Sequence, residues 1–85
     1  MAKIPPGLAA KVQRDPKAPV DLIVRLDGDP SAHLQDLQWL GWTVRRTFSL
    51  TPSAAIHGPA TGVAGLANEP WVISIEEDKP VHTQT

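Results

Sequence analysis

From residue 20 onward the chain switches between two hydrophobic periods, and that switching most constrains what it can fold into. Val20, Leu22, Val24 and Leu26 recur at every second position, with Asp21 and Arg25 between them, the pattern of a strand with one buried face. Asp27-Gly28-Asp29-Pro30 then ends the strand and starts a helix. Asp29 suits the N-cap, and Pro30 suits the first helical position, where its missing N–H costs nothing. Leu34, Leu37 and Leu40 follow at helical spacing on one face, and Gly41 suits the left-handed residue that closes a helix.

The second half repeats the alternation. A second strand is expected from Trp42 to Leu50, with Trp42, Val44, Phe48 and Leu50 on one face, interrupted by Arg46. Thr43, Arg45, Thr47 and Ser49 share the other. Thr51-Pro52-Ser53 is a turn, and Ala54 to His57 a short third strand of low intrinsic preference. Gly58-Pro59 opens a second helix with Val63, Leu66 and Ala67 as its apolar face. Gly62 and Gly65 within it each cost about 1 kcal/mol relative to Ala, so this helix needs close packing on the sheet. Trp71 to Glu76 is the fourth strand, with Val72 on one face and Ile73 and Ile75 on the other.

The order strand, helix, strand, strand, helix, strand predicts an α+β, ferredoxin-like βαββαβ domain, its four-stranded antiparallel sheet carrying two helices on one face. That fold hosts many functions, so it implies none by itself. Three segments are expected: residues 1–19, an extension holding Pro5, Pro6, Pro16 and Pro19 and a short helix over Gly7 to Arg14; residues 20–79, the domain; and residues 80–85, an extended tail. A helix that short is marginal without a docking surface. A chain of 85 residues without cysteine supports one small core, with an expected unfolding free energy of about 5 kcal/mol or less.

Several function classes fall away. Eight basic against nine acidic residues make no phosphate-binding patch, so nucleic acid is not an expected partner. RNA-recognition domains of this fold need aromatic residues on their central strands, and neither the first nor the third strand has one. No apolar run approaches the roughly 20 residues of a membrane span. His33, His57 and His82 are widely spaced and lack an H-E-x-x-H arrangement, so no metal is expected. Ser31, Ser49, Ser53 and Ser74 lie in no nucleophile elbow, and Gly58, Gly62 and Gly65 match no phosphate loop. The chain is therefore read as a non-enzyme without a cofactor, monomeric when free. Met1-Ala2-Lys3 leads into Pro5-Pro6 rather than an apolar segment, so no signal peptide is expected, and the compartment stays open.

The C-terminal stretch points further. Trp71 to Ile75 is followed by the acidic cluster Glu76-Glu77-Asp78 and then by Lys79 to Thr85, which has no helical period. An extended peptide docks into a cleft by main-chain hydrogen bonds with alternate side chains in pockets, which is also how a protease holds a substrate. The run Pro-x-Val-x-x-Ile-Glu-Glu-Asp, read at Pro70, Val72, Ile75, Glu76, Glu77 and Asp78, resembles the end of the subtilisin propeptide family. Val20 to Leu26 also resembles that family's first strand. The tail, with Val81 and Thr83-Gln84, is similar to that of stand-alone fungal inhibitors in the same family.

The resemblance implies an inhibitor, and folding assistant, of a subtilisin-like serine protease. It implies the same fold, an open sheet face that packs on two protease helices, and a tail of Val81, His82, Thr83, Gln84 and Thr85 bound in the cleft like a substrate. Either Thr85 fills the first specificity pocket with His82 in the fourth, or Gln84 fills the first and Thr85 trails. Pro80 and His82 depart from the small or apolar residues of the family near the fourth pocket. Glu76 and Asp78 share a side if the strand continues, and the resemblance makes them caps for the partner's helix N-termini, where free N–H groups favour anions. The bland reading of the same cluster is a solvated strand end. Trp39, Trp42 and Trp71 either pack the edges of a thin core or form an exposed partner patch, and at least one ring is expected to reach solvent. The competing function is a ferredoxin-like interaction or regulatory module that associates through its open face without inhibiting a protease.

Overall fold

In the computed structural model, which describes residues 2–78, four strands form a single antiparallel sheet, with three helices packed on it. The elements are α1 (Pro6–Arg14), β1 (Pro19–Leu26), α2 (Leu34–Trp39), β2 (Thr43–Phe48), β3 (Ser53–Pro59), α3 (Val63–Ala67) and β4 (Val72–Glu77). Short 3-10 turns, Pro30–His33 and Ala60–Gly62, lead into α2 and α3. Across the sheet the order is β2-β3-β1-β4, so β1 and β3 are central and β2 and β4 are edges.

The period-two pattern of β1 separates the two faces. Val20, Leu22, Val24 and Leu26 are buried toward the helices, and Asp21, Ile23 and Arg25 lie on the other side. Leu37 of α2 and Val63, Leu66 and Ala67 of α3 close over the buried face. Helix α1 joins them: Leu8 is fully buried, and Ile4, Ala9 and Val12 border Val63 and Ala64. The N-terminal segment is tied down further by backbone bonds from Ala2 to Ala67, from Ala60 to Ala18 and from Thr61 to Pro16, and by an ion pair from Lys11 to Glu77. Docking thus supplies what a helix of nine residues lacks alone.

Local chemistry explains the helix ends. The Asp29 carboxylate accepts the Ser31 backbone N–H at 3.0 Å, and Pro30 occupies the first position. At the end of α2 the Gly41 N–H bonds to the Gln38 carbonyl and the Trp42 N–H to the Leu37 carbonyl, with Gly41 at φ +93. This paired arrangement lets only a glycine turn the chain comfortably. It aims Trp42 under the sheet, where the indole is 2% exposed.

Two expectations about strand faces are corrected. In β2 a bulge between Val44 and Arg46 makes Arg45 an extra residue, so alternation resets. Val44 and Thr47 therefore lie opposite Ile56 and Ala54 on the helix side, while Arg46 and Phe48 lie opposite Ala55 and Ser53 on the other. In β4 a second irregularity sets Leu26 opposite Val72 and Arg25 opposite Ser74, skipping Ile73. Val72 and Ile75 consequently share the core, and Ile73 is left 54% exposed. α2 is also shorter than its leucine spacing suggests. It stops at Trp39, leaving Leu40 partly exposed.

Candidate functional site: the open sheet face and the acidic strand end

All three helices lie on one side of the sheet, so the other side presents its side chains outward. The central strands contribute Asp21, Ile23 and Arg25 from β1 and Ser53, Ala55 and His57 from β3. Ser74 and Glu76 of β4 stand opposite Arg25 and Ile23. Ile23, Arg25, Thr51, Ser53, Ser74 and Glu76 together line a shallow depression. This face mixes apolar residues, Ile23, Ala55 and Phe48, with polar ones carrying both signs of charge, as an antiparallel sheet covered on one side allows.

One end of the face holds a cluster that the linear sequence does not display. His57 and Asp21 are cross-strand partners, and the imidazole Nδ1–H donates to the Asp21 carboxylate over 2.8 Å. Arg45, swung to the same side by the bulge, places its Nε 3.9 Å from the same oxygen. The signal available in sequence was a polar residue at an outward position of each strand. The register that brings them opposite one another was not.

The acidic cluster divides its roles by pleat. Glu77 lies opposite Leu22 on the helix side, where Lys11 of α1 meets its carboxylate. Glu76 points to the open side opposite Ile23. The Asp78 amide donates to the Asp21 carbonyl at 2.8 Å, so the ladder runs one residue beyond β4. Among the described residues neither the Glu76 nor the Asp78 carboxylate has a hydrogen-bond or ion-pair partner. Val81, His82, Thr83, Gln84 and Thr85 lie outside the described residues, as do Lys79 and Pro80.

The three tryptophans take three different environments. Trp42 is core, Trp71 is half-buried, and Trp39 is 82% exposed. The His33 ring stacks on Trp71 with centroids 4.6 Å apart and planes 8° from parallel. The His33 Nε2 lies 3.2 Å from the Asp27 carbonyl, which fixes the ring at the foot of α2.

Among the described residues no group of three His, Cys, Asp or Glu side chains could hold a metal ion, and no helix is long and apolar enough to cross a membrane. A scan against protein-family models gives no match, and a search of curated proteins gives none. The family resemblance therefore rests on the residues of the first and last strands that carry it.

Proposed function

We propose that this chain is a propeptide-like inhibitor of a subtilisin-like serine protease, built on the ferredoxin-like split βαβ plan. The observation that carries the reading is the geometry of the acidic strand end. Among the described residues the Glu76 and Asp78 carboxylates have no hydrogen-bond or ion-pair partner and stand beside the sheet face opposite the helices, while Glu77 is engaged internally by Lys11. Carboxylates so placed can accept N–H groups at the helix N-termini of a docked protein. The fold plan is supported by the strand order, since the connection from β1 to β2 skips over β3, which lies between them and runs antiparallel to both.

The tail then follows from a fixed point. Residue 79 is joined to Asp78, whose amide is held in the sheet by the Asp21 carbonyl. Docking of the body on the protease makes binding of Val81 to Thr85 in the cleft effectively intramolecular, which raises affinity without new contacts. The same body, binding only a folded catalytic domain, would favour that domain's folding by mass action.

The test is an inhibition assay of the intact chain against subtilisin-like and chymotrypsin-like proteases. Selective inhibition of the first group is expected. Failure to inhibit or bind any subtilisin-like enzyme overturns the reading, and an interaction or regulatory module without protease inhibition takes its place.

A further inference from the structure

Away from the acidic strand end, at the opposite end of β4, Asp36, Trp39, Leu40, Glu69 and Trp71 line a second depression. Trp71 immediately precedes β4 and Asp78 immediately follows it, so the length of that six-residue strand, about 20 Å, separates the two regions. A tryptophan 82% exposed beside a leucine 39% exposed leaves a large apolar area uncovered by the described residues. Neither Lys nor Arg lines the depression, and the Glu69 carboxylate has no partner among the described residues. Among the described residues the Asp36 carboxylate reaches the His33 imidazole alone, at 3.5 Å.

Two indoles flanked by two carboxylates define one kind of occupant. A cation is attracted to an indole face, most strongly among the aromatic side chains, and a carboxylate nearby adds to the attraction. Lysine and arginine also carry apolar stems that cover hydrophobic surface while the charged head stays wet. Stacking by His33 fixes the Trp71 ring, which lowers the entropy lost on binding. We propose that this depression is a docking site for a basic segment of a protein partner. One lysine or arginine stem lies against Trp39 and Trp71, and its cation meets Asp36 and Glu69. The site is independent of the protease reading, since it uses neither the tail nor Glu76 and Asp78.

The three tryptophans provide the experiment. Indole N–H signals in a heteronuclear NMR spectrum of the full chain are followed while a short peptide of alternating Ala and Lys is added. A peptide of alternating Ala and Glu serves as control. The Trp39 and Trp71 signals are expected to move saturably with the lysine peptide only, while the buried Trp42 signal stays still. Asp36→Asn with Glu69→Gln should weaken the response by about fivefold or more, and salt should weaken it in the unaltered protein. Trp39→Ala should abolish it while leaving the melting point unchanged, because that ring is exposed. Equal shifts with both peptides, no shift of Trp39 and Trp71, or undiminished binding by the double variant overturns the proposal. So does movement of the Trp39 signal with protein concentration alone, which would make the occupant a second copy of this chain.

Discussion

A methyl group at Gly58 would stand 2.6 Å from Cε3 of Trp42, closer than a carbon can sit against a buried ring. At Gly62 the nearest ring atom, Cζ2, is 3.1 Å away, whereas at Gly65 nothing lies within 4 Å. These positions therefore respond differently to the same change. Gly58→Ala should destabilise by about 1–3 kcal/mol, the usual range for overpacking, measured by denaturant unfolding. In a Trp42→Leu background the penalty should shrink, because the offending ring is gone, and a double-mutant cycle reads the difference. Gly65→Ala should raise stability by about 0.4–1 kcal/mol through helix preference and a less disordered unfolded chain. A loss there would mean that α3 is held by something other than its packed face. The sequence reveals that glycines weaken this segment, but not that Gly58 and Gly62 make room for an indole. That second fact depends on the pairing of β2 with β3, which sets Thr43 opposite His57 and so brings Trp42 beside Gly58, and no local pattern encodes it.

Elements were more legible than faces. The strands and helices α2 and α3 follow in type from period and punctuation, because caps and turns act locally: Asp29, Pro30 and Gly41 each do what their chemistry predicts. Gly58 and Pro59, however, end β3 instead of opening a helix, and α3 begins only at Val63. Bulges at Arg45 and Ile73 do not follow, since an extra residue in one strand is defined only against its partner. Docking of α1 was equally hidden, because Leu8 and Val12 offer a short stripe whose partner, α3, lies far along the chain. The Asp29 cap on the 3-10 turn that leads into α2 makes a pH prediction. Ser31, first by its backbone N–H and then by its hydroxyl, holds the Asp29 carboxyl below its ordinary range. A value lower in the folded than in the unfolded state stabilises the fold at neutral pH. That contribution is lost as pH falls below about 4, through the folded-state value. Thermal melts of wild type and Asp29→Asn should therefore differ at neutral pH and converge in strong acid. A gap independent of pH would assign the cap's effect to geometry rather than charge.

At the scale of the whole molecule, the proposed inhibitor reading assigns separable tasks to the folded body and to the C-terminal segment. The apolar core is assembled from residues between Ala2 and Ile75, and His82 to Thr85 is polar throughout. Deleting His82 to Thr85 should therefore leave the circular dichroism spectrum and the melting point nearly unchanged. Inhibition of a susceptible subtilisin-like enzyme should collapse, while weaker binding through the sheet face persists, so the two must be measured apart. Replacing Glu76 and Asp78 together with Ala acts on the other task. It removes no side-chain hydrogen bond or ion pair among the described residues, since Lys11 pairs with Glu77, and should reduce affinity by up to about thirtyfold per helix N-terminus that loses its cap. A catalytically inactive protease gives the common readout. Binding only the folded domain, it should raise the domain's melting temperature with increasing concentration. The intact chain should show the largest rise, and both the tail deletion and the Glu76/Asp78 variant smaller ones. If the truncated chain inhibits as well as the intact one, substrate-like occupation of the cleft is wrong. If the Glu76/Asp78 variant shifts the melt as far as the wild type does, those carboxylates are a solvated strand end.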